Sequence, residues 1–307
     1  MERLEPAVTG NHGRYSEKQQ RHYTLGDAKQ QFTNAMLDAG ITPPETIIGD
    51  GLLHRFKTNG KLNGRYVLHT DGRPAGYFQD FKQGIKVRWK MGGDFKPFTP
   101  AERRAFAIER QRQEIARQAE EAKRHDEAAI KARVIWPKST PITAPSQHSY
   151  LLKKHVNPHN ARLYGDALAI PIYNECRQLV NLQFINADGA KRFLTGGKKK
   201  GCFSVIGKLE ATDPILIPEG WATGASLHEH TGHFVIVAMD AGNLEPVALA
   251  VRRLYPDREI VLCGDNDLSG VGQKAAKAAA LAVGGKYILP ATVGHDWNDA
   301  LTVEIAQ

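Results

Sequence analysis

Residues 259–270, "EIVLCGDNDLSG", run from a short apolar stretch into two aspartates on a turn, Asp265 and Asp267, before a helix starts through Gly270 and Gly272. Asp and Asn often shape turns by bonding their own backbone. Whether these two charges do more than that depends on what the chain brings beside them. Around this stretch the last third alternates strands and helices. Strands are expected at 215–217, 234–239, 259–263 and 286–289, and helices near 222–231, 243–254, 269–283 and 297–305. Such alternation predicts an α/β layer built on a mainly parallel sheet.

In an open α/β sheet, ligands bind outside the carboxyl ends of the strands. Glu219 follows the first strand in "ILIPEG", Asp240 follows the second, Asp265 and Asp267 follow the third, and Asp296 and Asp299 in "HDWNDAL" lie beyond the fourth. Acids gathered on one edge raise one another's pKa. A hard divalent cation removes that conflict, and Mg²⁺ prefers one or two carboxylates with water and substrate phosphates. Asp265 and Asp267 can face one ion, while Glu219 can hold a second or position a proton. Two ions together stabilise the attacking and leaving oxygens of a phosphoryl displacement. Asp296 and Asp299 also fit a second role, as N-cap and first-turn acid of the last helix.

Upstream, charge is unevenly spread. Residues 134–210 hold 11 Lys and Arg against 4 Asp and Glu, whereas 211–307 hold 6 against 12. A basic block beside an acidic one suits a polyanion gripped by one and cations held by the other. The basic cluster is Lys191, Arg192, Lys198, Lys199 and Lys200, with Lys274 on the helix after the Asp pair. The organisation expected along the chain is a flexible segment 1–22 and a β-rich module 23–100 with a helix near 23–39 and outward basic and aromatic residues suited to nucleic acid. A helical connector (101–133), a mixed α+β basic subdomain (134–210) and the acid-bearing domain (211–307) follow. Residues 101–133 lack Gly and Pro and read as one helix, which Pro137, Pro141 and Pro145 then interrupt.

Three cysteines with no Cys-x-x-Cys pair argue against a disulfide scaffold and a cysteine-bound zinc site. No apolar run reaches the roughly 20 residues of a membrane span, and the start "MERLEPAVTG" lacks the form of a signal peptide. A cytoplasmic protein with no membrane partner is expected. "HEHTGH", residues 228–233, misses the zincin spacing, since position 232 is Gly.

"ILIPEG", "EIVLCGDNDLSGVGQKAA" and "ILPATVGHDWND" resemble the Toprim domain shared by DnaG-type primases, topoisomerases and some nucleases. The stretch "IPIYNECRQLVNLQFINADGAKRFLTGGKKKGCFSVIG" is similar to the subdomain that precedes Toprim in bacterial and phage primases, and residues 40–95 look like the N-terminal part of plasmid- and phage-encoded primases. The resemblance implies metal-dependent synthesis of RNA primers from nucleoside triphosphates on a single-stranded DNA template, with a replicative helicase as a further partner. It implies Mg²⁺, with Mn²⁺ as an alternative, held by Asp265 and Asp267. Glu219 would join the metal site or act in acid–base chemistry, and Asp296 would be the further acid. The basic cluster would contact template or nucleotide phosphates. Replicative primases commonly carry an Asp four residues after the Glu, where this chain has Thr223, and the zinc ribbon is missing. No Gly-x-x-x-x-Gly-Lys-Ser/Thr loop marks a fused helicase motor. Two other classes share the same acids: a Toprim nuclease that cuts phosphodiesters, and a non-catalytic accessory protein that binds single-stranded DNA.

Overall fold

The structure, a computed structural model, describes residues 24–70, 73–92, 99–210 and 213–305; the expected flexible segment 1–22 lies outside them. The chain divides into two compact units, residues 1–104 and 105–307.

In the first unit α1 (Leu25–Asp38) opens with a capping box in which Thr24 and Asp27 satisfy each other's backbone N–H groups. Four strands follow: β1 (His54–Thr58), β2 (Lys61–His69), β3 (Ala75–Asp80) and β4 (Ile85–Lys90). They pair in chain order, all antiparallel. Their alternating sequence buries one face, and Phe32 and Met36 of α1 share a core there with Phe56, Tyr66, Leu68 and Phe78.

The second sequence region begins in a long helix, α2 (Pro100–Ile135), exposed along most of its length. Its last turns bury Ala128, Ala129 and Ala132, and Ala132 packs with Ala167, Ala169, Leu182 and Phe184. A 3₁₀ turn at Trp136–Lys138 with Pro137 ends it.

The second unit carries two five-stranded sheets. The first is an antiparallel meander of β5 (Thr140–Pro141), β6 (Arg162–Tyr164), β7 (Ala167–Tyr173), β8 (Leu179–Ile185) and β9 (Lys191–Phe193), with α3 (Ser149–Lys154) between β5 and β6. Strands β7 and β8 are buried along nearly their whole length, so they read as near-continuous apolar runs.

The second sheet contains β10 (Ser204–Ile206), β11 (Ile215–Pro218), β12 (Val235–Val237), β13 (Ile260–Cys263) and β14 (Lys286–Ile288), joined through α4 (Trp221–Thr231), α5 (Leu244–Leu254) and α6 (Val271–Val283), and followed by α7 (Trp297–Ile305). The spatial order is β10-β12-β11-β13-β14. The last four strands are mutually parallel, as their alternation with helices requires, and only β10 runs antiparallel at the edge. β10 belongs in sequence to the basic segment. One core cluster runs from Ala129 and Leu168 through Trp221 to Leu301, so the two sheets share their packing.

Candidate active site

Parallel topology decides where the acids go. Glu219 leaves the end of β11, Asp240 follows β12, Asp265 follows β13, and the loop after β14 leads to Asp296. Because β12, β11, β13 and β14 are neighbours, these four acids line one edge in the order Asp240, Glu219, Asp265, Asp296. All four therefore stand where an α/β sheet binds its ligands.

The two aspartates of the opening stretch have different environments. Asp267 works locally: its Oδ1 accepts the Ser269 N–H at 2.8 Å and the Ser269 hydroxyl, and its Oδ2 accepts the Gly272 N–H at 2.9 Å at the start of α6. The Ser269 side chain first, then these backbone donors, hold its carboxyl below the usual carboxylate range. Asp265 is instead drawn inward, and its Oδ1 is buried without a hydrogen-bond partner. Burial, then the negative charges of Asp296 and Asp267, push its carboxyl up to about 6, with Lys191 acting the other way. Glu219 is pushed up to about 7, chiefly by burial and then by Asp265, with Asp267 and Asp240 adding to it. Its one backbone donor, the Asp265 N–H, is a long 3.4 Å away.

Gly272 makes this arrangement geometrically feasible. A methyl group there would lie 2.7 Å from the Asp265 carbonyl oxygen, 2.8 Å from Glu219 Oε1 and 3.0 Å from Asp267 Oδ2. Only a residue without Cβ lets the helix start this close to three oxygens.

A buried, unpartnered carboxylate oxygen beside a second raised carboxyl fits a hard cation, because a buried polar group left unsatisfied is costly. Glu219 and Asp265 are the groups that need one. Among the described residues, no three His, Cys, Asp or Glu side chains converge into a ready-made metal cluster.

Asp296 and Asp299 cap α7 reciprocally: Asp296 Oδ1 accepts the Asp299 N–H at 2.8 Å, and Asp299 Oδ2 accepts the Asp296 N–H at 3.4 Å. Lys154 stands over both, at 3.8 and 3.6 Å. Thr223 is buried in the first turn of α4 and adds no carboxylate.

The basic residues disperse. Lys191, on β9, lies close enough to the acid edge for its charge to act on Asp265. Surrounding protein and the nearby Lys154 hold its ammonium below the ordinary lysine value, although solvent still reaches the side chain. Arg192 stacks its guanidinium 5.2 Å from the centre of the Phe184 ring. Lys199 pairs with Asp240 and lies 5.0 Å from the Phe193 ring centre. Lys198, Lys200 and Lys274, the last on α6, are exposed.

Several positions carry no signature in the sequence. Asn243, almost fully buried, accepts the Gly201 N–H at 2.8 Å and donates to the carbonyls of Lys199, Cys202 and Ala238. It pins the lysine turn to the end of β12. From the other side Asn181 donates to the Lys198 carbonyl at 3.1 Å, and a Cβ at Gly197 would meet its amide at 2.2 Å. Lys154 is placed by Asn298, which donates to the Lys154 carbonyl and to Ser226 Oγ. Asn is a common turn residue, and nothing in spacing separates these from ordinary ones. In "HEHTGH", His228 Nδ1 bonds the His233 carbonyl at 2.7 Å, and Glu229 pairs with His159 at 2.6 Å. These contacts tie the end of α4 to its neighbours.

The Toprim domain family matches residues 214–306. A DNA primase TraC of Escherichia coli is 35% identical over 282 residues, which cover 85% of this chain and 26% of that protein. A second DNA primase TraC of Escherichia coli is 32% identical over 284 residues, or 85% and 19% of the two chains. This chain thus spans about a quarter or less of the length of these relatives. The crystal structure of the primase fragment of the bacteriophage T7 primase-helicase protein covers 81% of this chain and 93% of its own, at 13% identity and a TM-score of 0.41, a likeness too low to build on. No helix among the described residues is long and apolar enough to cross a membrane. Residues 214–306 match the Toprim domain family, and over 85% of its length the chain is similar in sequence to the two DNA primases TraC.

Proposed function

We propose that this chain synthesises short RNA primers on single-stranded DNA by metal-dependent nucleotidyl transfer. The observation that carries it is Asp265 Oδ1, buried and unpartnered beside Glu219 on the ligand edge of the sheet. In this reading residues 211–307 are the catalytic domain, 134–210 the basic subdomain that takes the template, 101–133 the connector and 23–100 an N-terminal module.

Glu219, Asp265 and Asp267 would hold Mg²⁺ or Mn²⁺, with Asp296 beside them. The ion when bound supplies positive charge for the phosphoryl oxygens. Asp267 is oriented by Ser269 and the start of α6, so its position is set before any ligand arrives. Glu219, with its carboxyl raised to about 7, is suited to accept the proton of an attacking hydroxyl at a carboxylate oxygen. Lys191 reaches over this edge and would meet a substrate phosphate there. Arg192, Lys198, Lys200 and Lys274 extend the positive surface, while Lys199 is engaged with Asp240.

The test is primer synthesis on single-stranded DNA with labelled ribonucleotides and Mg²⁺, wild type beside Asp265→Ala. Short RNA products from wild type alone are expected. Template cleavage without products would replace this reading with a nuclease, and neither activity across several templates would leave a binding protein.

A further inference from the structure

The sheet of the first unit has one face in its core and one face turned away from that core. Register assigns the outer face row by row. Arg55 stands opposite Arg65, which stands opposite Gln79 and then Lys86; Val67, Tyr77 and Arg88 make the next row, and His69, Ala75 and Lys90 the third. Arg55, Lys86, Arg88 and Lys90 are exposed. Within the four strands no carboxylate lies on this face; Asp50, which pairs with His69 at its margin, is taken up by the Leu52 N–H and by His54. The one acid in the four strands, Asp80, is buried on the other side, where it accepts the N–H groups of Lys82 and Gln83. None of the five cations is in an ion pair among the described residues.

This pattern costs stability. Like charges directly opposite each other across an antiparallel pair are unfavourable, and Arg55 and Arg65 are such a pair. What they share is Phe81, nearly half exposed, with the two guanidinium carbons 5.5 and 4.7 Å from its ring centre. Arg65 also reaches the Tyr77 ring at 5.8 Å. Planar groups stacked on aromatics, with cations at their margins, suit a ligand with flat faces and negative links. Lys86, Arg88 and Lys90 alternate along one strand, about 7 Å apart at strand rise, which gives a row of charges for an extended phosphodiester strand.

We infer that this face binds single-stranded nucleic acid, with bases against Tyr77 and Phe81 and phosphates on Arg55, Arg65, Lys86, Arg88 and Lys90. The inference does not rest on the acid edge, and its test is chosen to stay separate from it. Full-length protein is titrated into fluorescent dT and rU oligonucleotides in EDTA over a range of salt, so no chemistry is required. Replacing Lys86 and Arg88 together with Ala lowers the slope of log affinity against log salt by roughly 0.7 for each phosphate that is no longer neutralised. Tyr77→Ala weakens binding about tenfold with the slope unchanged, and Tyr77→Phe restores it. The titration needs neither metal nor nucleotide, so a failed primer assay leaves this result standing. The dT and rU arms show which strand chemistry is preferred. Unfolding midpoints equal to wild type establish that each variant is folded. Unchanged affinity and slope in the folded Lys86/Arg88 variant overturn the inference. So does equal binding of a duplex of the same length with Tyr77→Ala neutral, which would mark a patch that attracts any polyanion.

Discussion

In the meander β5–β9 the chain reverses direction at every strand, whereas β11 to β14 all run the same way, and this difference sorts the charges of residues 105–307. Parallel strands end on one edge, so acids separated by dozens of residues in sequence stand side by side there. Antiparallel strands end alternately on opposite edges. The cations of this region are placed one by one: Lys191 acts on Asp265, its neighbour Arg192 lies on Phe184, and Lys199, past the end of β9, is tied to Asp240. A row of acids is a consequence of topology, but a basic patch must be assembled side chain by side chain.

If the acid row is the chemical centre and the lysine turn an auxiliary, their variants differ most in activity. Asp265→Ala is expected to lower primer synthesis at least about a hundredfold, the scale of removing one electrostatic group from a site. Lys199→Ala, which breaks an ion pair partly open to water, is expected to change it only a few-fold. Equal losses in a side-by-side primer assay would erase the distinction.

The assembled side should fail through its anchors instead. Asn243→Ala leaves the carbonyls of Lys199, Cys202 and Ala238 and the Gly201 N–H without their partner. A loss of about 2–3 kcal/mol, or roughly 5–10 °C in Tm, is expected by calorimetry. A neutral Asn243→Ala would mean that the lysine turn holds itself.

A smaller effect reports the crowding of the acid row. The Glu219 carboxyl rises from an ordinary 4.5 to about 7 in the folded protein. Between these values the folded state keeps a proton that the unfolded chain has released. Stability therefore falls as pH rises through that window and levels above about 7. Glu219→Gln removes its share of the fall, and Asp265, raised to about 6, keeps the part at lower pH. In EDTA at pH 8 the variant is expected to be more stable than wild type by on the order of 1 kcal/mol, after allowance for screening at a partly solvated site. Urea denaturation at pH 5 and pH 8 measures it, and Mg²⁺ should narrow the difference. The least effect belongs to Asp299→Asn, which keeps a capping side chain and gives up only a half-exposed ion pair with Lys154. Less than about 0.5 kcal/mol is expected by the same method.

How much was legible follows the same division. The helices α4 to α7 and strands β11, β13 and β14 stand within a few residues of their expected ranges, because apolar runs, glycine stops and acidic caps mark them. The first unit is expected as a β-rich module, and the Asn59-Gly60 turn between β1 and β2 agrees with their antiparallel pairing. β10 was not: three residues hold too little pattern to show that a segment counted with the basic region completes the parallel sheet. Lys154 and Asn243 were invisible for another reason. Each acts across the fold, Lys154 on the cap of α7 and Asn243 on a turn 41 to 44 residues away.

What the sequence determined by itself is the kind of layer and the edge on which the acids stand. Strand–helix alternation makes the strands run parallel, and parallel strands all end on the same side. Only the tertiary structure decided which acid does what. Asp265 and Asp267 are the same residue type two positions apart, yet one spends both oxygens on its own helix start while the other turns an unpartnered oxygen into the protein. That division depends on burial and on neighbours from β11, β9 and the loop after β14. Local pattern cannot encode it, because those neighbours meet only when the sheet has formed.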